Sequence, residues 1–215
     1  MTVTELVVLS LKPGSKIGDP ENDAAVVLKY IGDTLRAAPG CQELHFGGVI
    51  EDELKLRLFI DWESYNKGKA FQESSDYPAF LGRVKTIITG PPQITHVEFK
   101  PAGALHETLS ASVTEIATFY FDSEVPAEYG NGIDEWSAVA DQIPNAKSIA
   151  WGATYESIEK DDVRGKAAVV LIGWASVEDH LTFRESRIFK DVIPHLRSTS
   201  KSASMQHIQA MKYIA

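Results

Sequence analysis

Residues 5–11 read Glu-Leu-Val-Val-Leu-Ser-Leu, an apolar run closed by Lys12-Pro13-Gly14, which predicts a buried strand. Over 23–38 the apolar positions Val26, Val27, Tyr30, Ile31 and Leu35 recur at helical spacing and stop at Pro39-Gly40, so an amphipathic helix follows. Two strand-like runs, 42–50 and 54–62, flank the polar turn Glu51-Asp52-Glu53 and suit a hairpin. Ser64 is placed as an N-cap for a helical stretch that runs to 88 and breaks near Asp76-Tyr77-Pro78. Pro91-Pro92 ends it, and 93–99 reads as a last strand. The order is β-α-β-β-α-β, the ferredoxin-like arrangement.

The same order recurs further on. Strands are expected at 115–121, 147–156, 167–174 and 203–213, with a shorter helix at 133–143, a charged turn at 157–166 and a helical run to Arg197. Ser176 and Asp179 suit a capping box at the start of that run. Trp62-Glu63-Ser64 and Trp174-Ala175-Ser176 stand 112 positions apart, followed after six intervening residues by Phe71-Gln72-Glu73-Ser74 and Phe183-Arg184-Glu185-Ser186 respectively. Val3-Thr4-Glu5 returns as Val113-Thr114-Glu115, and His96-Val97 as His207-Ile208. The pattern predicts two α+β domains, residues 1–101 and 113–215, joined by a polar, Gly-containing linker at 102–112. An isolated four-stranded sheet covered by helices on one side leaves its other face apolar, so the two repeats are expected to pack sheet to sheet as an intramolecular α+β barrel.

The chain has 215 residues, 44% hydrophobic and 24% charged, enough for a real core. A formal charge of −9 argues against a nucleic-acid or anionic-lipid surface, either of which needs clustered Lys and Arg. No stretch approaches the ~18 apolar residues of a spanning helix, and the first residues lack a basic and apolar leader, so a cytoplasmic location is expected. Cys41, the sole cysteine, reads as a small buried residue beside a strand start rather than as a nucleophile. Gly-x-Gly-x-x-Gly, P-loop and Gly-x-Ser-x-Gly patterns do not occur, which sets aside the nucleotide, flavin and hydrolase classes that use them.

The Trp62-x-Ser64 turn, the helix through Phe71, Tyr77 and Phe80, the Gly90-Pro91-Pro92 break and the strand Thr95-His96-Val97-Glu98-Phe99 resemble the dimeric α+β-barrel superfamily, and within it the antibiotic-biosynthesis-monooxygenase-like (ABM) proteins. Most relatives carry one such copy and dimerise, so the resemblance implies a pseudo-dimer within one chain, with further pairing into a homodimer left open. It implies a pocket between each sheet and its own helices for a small aromatic or hydrophobic ligand. The charge balance and the lack of a spanning run, rather than the resemblance, set aside nucleic-acid and membrane partners. Family chemistry ranges over cofactor-free monooxygenases, polyketide cyclases, haem-degrading enzymes, isomerases and non-catalytic copies. The expectation is a cofactor-independent enzyme acting on an aromatic or polyketide-like metabolite by proton abstraction. The alternatives are a ligand-binding or stress-related barrel and a haem-binding member, although no metal or haem ligand pattern stands out.

His45 and His96 are the candidate bases, since an imidazole titrates near neutrality. Trp62, Tyr77, Phe80, Trp174 and His207 are candidate substrate-binding residues. His45 has no counterpart, Ala150 standing in its place, and Tyr77 corresponds to Phe189. Plant polyketide cyclases of the family carry a histidine in the helix after Tyr77, whereas Ala79-Phe80-Leu81 holds none. His180, Arg184 and Glu185 fall at helical spacing and read as a solvated helix face. The first-half pocket is the expected site.

Overall fold

The computed structural model describes residues 1–138, 143, 145–197 and 199–214, and it divides into two compact units, residues 1–96 with 211–215, and residues 97–210. In the first unit β1 (Val3–Ser10), α1 (Asp23–Ala37), β2 (Cys41–Val49), β3 (Asp52–Trp62), α2 (Tyr65–Gln72), α3 (Tyr77–Val84) and β4 (Gln93–Val97) follow the predicted order. The sheet order is β4-β1-β3-β2, the ferredoxin-like one. Asn22 caps α1 by accepting from the Ala24 N–H at 3.0 Å. Gly40, at φ +90°, turns the chain into β2, a conformation that favours glycine. Ser64 sits at the N-cap of α2, but its side chain makes no capping bond.

The second unit has β5 (Val113–Tyr120), α5 (Tyr129–Ala138), β6 (Ala146–Ala153), β9 (Ala167–Trp174), α6 (Val177–Glu185), α7 (Arg187–Arg197) and β10 (Ser202–Ile208). Its order, β10-β5-β9-β6, repeats that of the first unit. Registers agree as well: Val3 faces Trp62 and Glu5 faces Ile60 in one sheet, Val113 faces Trp174 and Glu115 faces Ile172 in the other. Ser176 caps α6 by accepting from the Asp179 N–H at 3.1 Å, while the Asp179 carboxylate accepts from the Ser176 hydroxyl and from the Asn145 amide rather than from the cap's own N–H. The aspartate is a methylene shorter than the glutamate of a full capping box.

Three segments differ from expectation. The predicted linker 102–112 contains α4 (Ala104–Leu109), whose Leu105, Thr108 and Leu109 are buried, and Thr108 accepts from or donates to Ser148 of β6 at 2.9 Å. Ala104, Leu105, Thr108 and Leu109 make its buried face, and the polar His106 and Glu107 lie off that face. The charged turn 157–166 forms a small hairpin, β7 (Ile158–Lys160) with β8 (Val163–Gly165). The predicted closing strand 203–213 breaks after Ile208, and its last part, β11 (Met211–Lys212), pairs with β2 of the first unit. Tyr213 fills the space above Gly32, where a Cβ would meet its ring at 2.3 Å, and donates to Asp33. The predicted helix over 133–143 begins earlier, at Tyr129, and its end at 139–142 lies outside the described residues. No described helix is long and apolar enough to cross a membrane.

Each unit buries its core between sheet and helices. Val7, Leu9, Leu56, Leu58 and Ile60 meet α1 and α3 residues in the first, and Ala117, Phe119, Val170 and Ile172 meet Ile133, Trp136, Phe183 and Leu196 in the second. Strand alternation puts Glu5 and Glu115 on these same faces, since Val7 and Ala117 lie two positions on.

Candidate active site

A carboxylate on the buried face of a sheet requires donors, and in the second unit Glu115 has them. The indole N–H of Trp174 donates to its Oε2 at 2.9 Å, and His180 Nε2 lies 3.4 Å from the same oxygen. His180 Nδ1 meets His207 Nε2 at 2.7 Å, so one ring donates and the other accepts. Local folding sets each position. His207 of β10 stands opposite Glu115 in the strand register, and Trp174 ends β9. The Ser176 cap fixes the first turn of α6 and so brings His180 inward, where its ring stacks on Trp174 at 5.1 Å between centroids and 20° between planes. His180 is 2% exposed, Trp174 0% and His207 1%.

Burial pushes the Glu115 carboxyl up to about 7, although the Trp174 hydrogen bond and the Arg184 charge act in the opposite direction. A carboxyl with that value is half ionised at neutral pH. It can take or give a proton there.

Glu115 and His180 form part of the wall of a cavity of about 280 Å³. Phe119, Trp136, Phe189 and Ile193 make most of the apolar lining, and Arg184 and Arg197 supply two cations. The volume is near the lower end of the ~300–1,000 Å³ usual for small-molecule sites.

The first unit repeats the carboxylate but not the space. Trp62 donates its indole N–H to Glu5 Oε2 at 2.9 Å, and His96 Nε2 lies 3.7 Å from that oxygen. The position of His180 is held by Gly68, whose Cβ, if present, would lie 3.0 Å from Trp62 Cδ1. Tyr65 instead sets its ring edge-on to His96 at 4.8 Å. The cavity beneath Glu5 measures about 40 Å³, because Phe71, Tyr77 and Phe80 pack against one another with centroids 5.3 to 5.9 Å apart.

The candidates from sequence therefore separate. His45 is buried on β2 between Leu44 and Phe46, whose side chains belong to the core, so alternation turns His45 to the opposite face of the sheet and away from the cavity. Its Nε2 lies 4.0 Å from Glu43. Trp62 and Trp174 are fully buried behind the two carboxylates rather than along a cavity wall. His96 and His207 also stand behind the lining. Tyr77 and Phe80 do line a cavity, the small one. His180 and Arg184, read as a solvated face, point inward, and only Glu185 of that trio is exposed. The sequence reading passed over Glu5 and Glu115. The available signal was a repeated acidic residue at an inward position of an otherwise apolar strand.

No protein-family profile matches the chain, and no curated protein is similar to it in sequence. Solved structures do match. An anthrone oxidase-like protein aligns with a TM-score of 0.70 at 13% identity, covering 98% of this chain and 93% of its own. A provisionally named monooxygenase from Fusobacterium nucleatum aligns at 0.63 and 11% identity over 100% and 98% of the two chains. A second such protein, from Lactobacillus acidophilus, gives 0.57 and 12% over 99% of each. The chain has their fold. It is the tandem α+β fold that the repeat predicted, and both units are part of the match.

Proposed function

We propose that the protein is a cofactor-independent monooxygenase whose working site is the second-unit cavity, with Glu115 as the base. The observation that carries this reading is a buried carboxyl, raised to about 7, in the wall of an aromatic-lined cavity and in contact with a two-histidine chain. A general base with a value near the working pH combines a useful ionised fraction with useful basicity. The name of the anthrone oxidase-like neighbour supplies the substrate class to try first.

An anthrone carries a methylene flanked by two aromatic rings across from a ring carbonyl. Glu115 removes one methylene proton, and the electron pair spreads through the rings onto the carbonyl oxygen. Molecular oxygen then takes the electrons and bonds to that carbon. Overall the CH2 group and O2 become C=O and H2O: carbon loses four electrons, oxygen gains four, one oxygen atom stays on the product and the other leaves as water with both hydrogens. The proton on Glu115 passes to His180 Nε2 as the proton on His180 Nδ1 passes to His207 Nε2, and it returns by the same path to the departing oxygen, so both hydrogens leave in the water and the base is restored. Trp174 is a positioning residue, holding Oε2 by its N–H. The apolar walls orient the rings and exclude water.

Oxygen uptake and quinone absorbance, measured together with an anthrone under air, test the reading. Wild-type protein is expected to consume one O2 per quinone formed. Glu115→Gln should lose ~10²–10⁴-fold in kcat, and His180→Gln should lower kcat with little change in KM. A folded Glu115→Gln protein as active as wild type would sink the assignment.

A further inference from the structure

The cavity wall sets two cations, Arg184 and Arg197, against one carboxyl, Glu115. Arg184 of α6 is half-buried in its wall and Arg197 of α7 stands at its rim. Among the described residues neither forms an ion pair, whereas the cations of the same helices outside the cavity do: Arg187 with Asp191 at 3.6 Å and Lys190 with Glu185 at 3.8 Å. At the matching positions of the first unit, where there is no room for a ligand, stand Gln72 and Lys85. In a chain of net charge −9, two guanidiniums that form no ion pair among the described residues, beside one carboxyl that burial holds back from ionising, favour an anion in the cavity.

We propose that the second-unit cavity takes a planar aromatic carboxylic acid, its carboxylate bound by Arg184 with Arg197 adding attraction at the rim, and its rings lying among Phe119, Trp136 and Phe189. A guanidinium fork matches a carboxylate in two parallel hydrogen bonds and loses less on leaving water than an ammonium does. The half-buried setting of Arg184 strengthens the contact, while exposed Arg197 is screened by salt. The proposal extends the reading above by naming a charged group on the substrate, and it concerns binding rather than turnover.

Anthracene-2-carboxylate and anthracene-2-carboxamide, which are alike in shape and lack an oxidisable methylene, are the probes, titrated by fluorescence against the full chain. Wild-type protein should bind the carboxylate at least tenfold more tightly. Arg184→Gln should erase that preference by weakening the carboxylate far more than the carboxamide, and Arg197→Gln should lessen it in a salt-dependent manner. Equal affinity of wild type for the two probes, no binding of either, or a preference that survives Arg184→Gln would each overturn the proposal. A protein that prefers the carboxylate through Arg184 yet oxidises no anthrone retains this proposal and loses the proposed reaction. One that oxidises a neutral anthrone and ignores the carboxylate does the reverse.

Discussion

Glu115 ties stability and activity to the same proton, in opposite directions. Its carboxyl, ordinarily near 4.5, is raised to about 7 by burial. Below about 4.5 the group is protonated in folded and unfolded chains alike. Between that value and about 7 the folded protein keeps a proton that the unfolded chain has released, so folding loses stability as pH rises through this window and stays at the lower level above it. A base works only when ionised, so turnover should rise over the upper part of the same range. Glu115→Gln removes the titration. Thermal unfolding of wild type and variant from pH 4.5 to 8 should show the wild-type melting temperature falling relative to the variant across the window, and parallel curves would show that the carboxyl is not raised. The kcat of wild type should climb with an apparent value near 7.

At the scale of elements, the difference between a 40 Å³ and a 280 Å³ cavity comes from a few substitutions on one framework. Val7 on β1, in the wall of the first cavity, is matched by Ala117 on β5, in the wall of the second. Enlarging that residue, as Ala117→Phe, should fill much of the second cavity. Overpacking a tight core costs about 1–3 kcal/mol, but here added atoms enter vacant space. The melting temperature should therefore hold or rise while binding of an aromatic probe and turnover disappear. Retained binding would mean that ligands enter elsewhere. The strand and helix order was legible because the apolar period switches cleanly between two and 3.6 and proline or glycine marks most ends. The cavity was not, since its volume depends on how side chains from β5, α5, α6 and α7 meet. His45 shows the same limit: its lack of a counterpart was plain in the sequence, but the face on which it lies depends on strand phase. His180 shows it from the other side, as a histidine among Glu178, Asp179, Arg184 and Glu185 looks solvated until the Ser176 cap sets the helix rotation.

Across the whole chain, Trp-Glu pairs in both units together with a histidine chain in one imply a division between scaffold and chemistry. The bond from Trp62 to Glu5 and that from Trp174 to Glu115 have the same length, 2.9 Å, and each satisfies a buried carboxylate on its own sheet. That shared part suits stability. What differs, Gly68 against His180, Gln72 against Arg184 and Val7 against Ala117, lies where the second unit gains its relay, its cation and its space. The residues that repeat most faithfully are therefore not the ones that set the two units' chemistry apart. Glu5→Gln with His96→Gln should lower the melting temperature, because an amide accepts the Trp62 N–H less strongly than a carboxylate and the contact between carboxylate and imidazole is lost. The double variant should still oxidise an anthrone at close to the wild-type kcat. Abolished turnover in a folded Glu5→Gln, His96→Gln protein, with Glu115→Gln active, would transfer the site to the first unit and require its aromatic cluster of Phe71, Tyr77 and Phe80 to open for substrate.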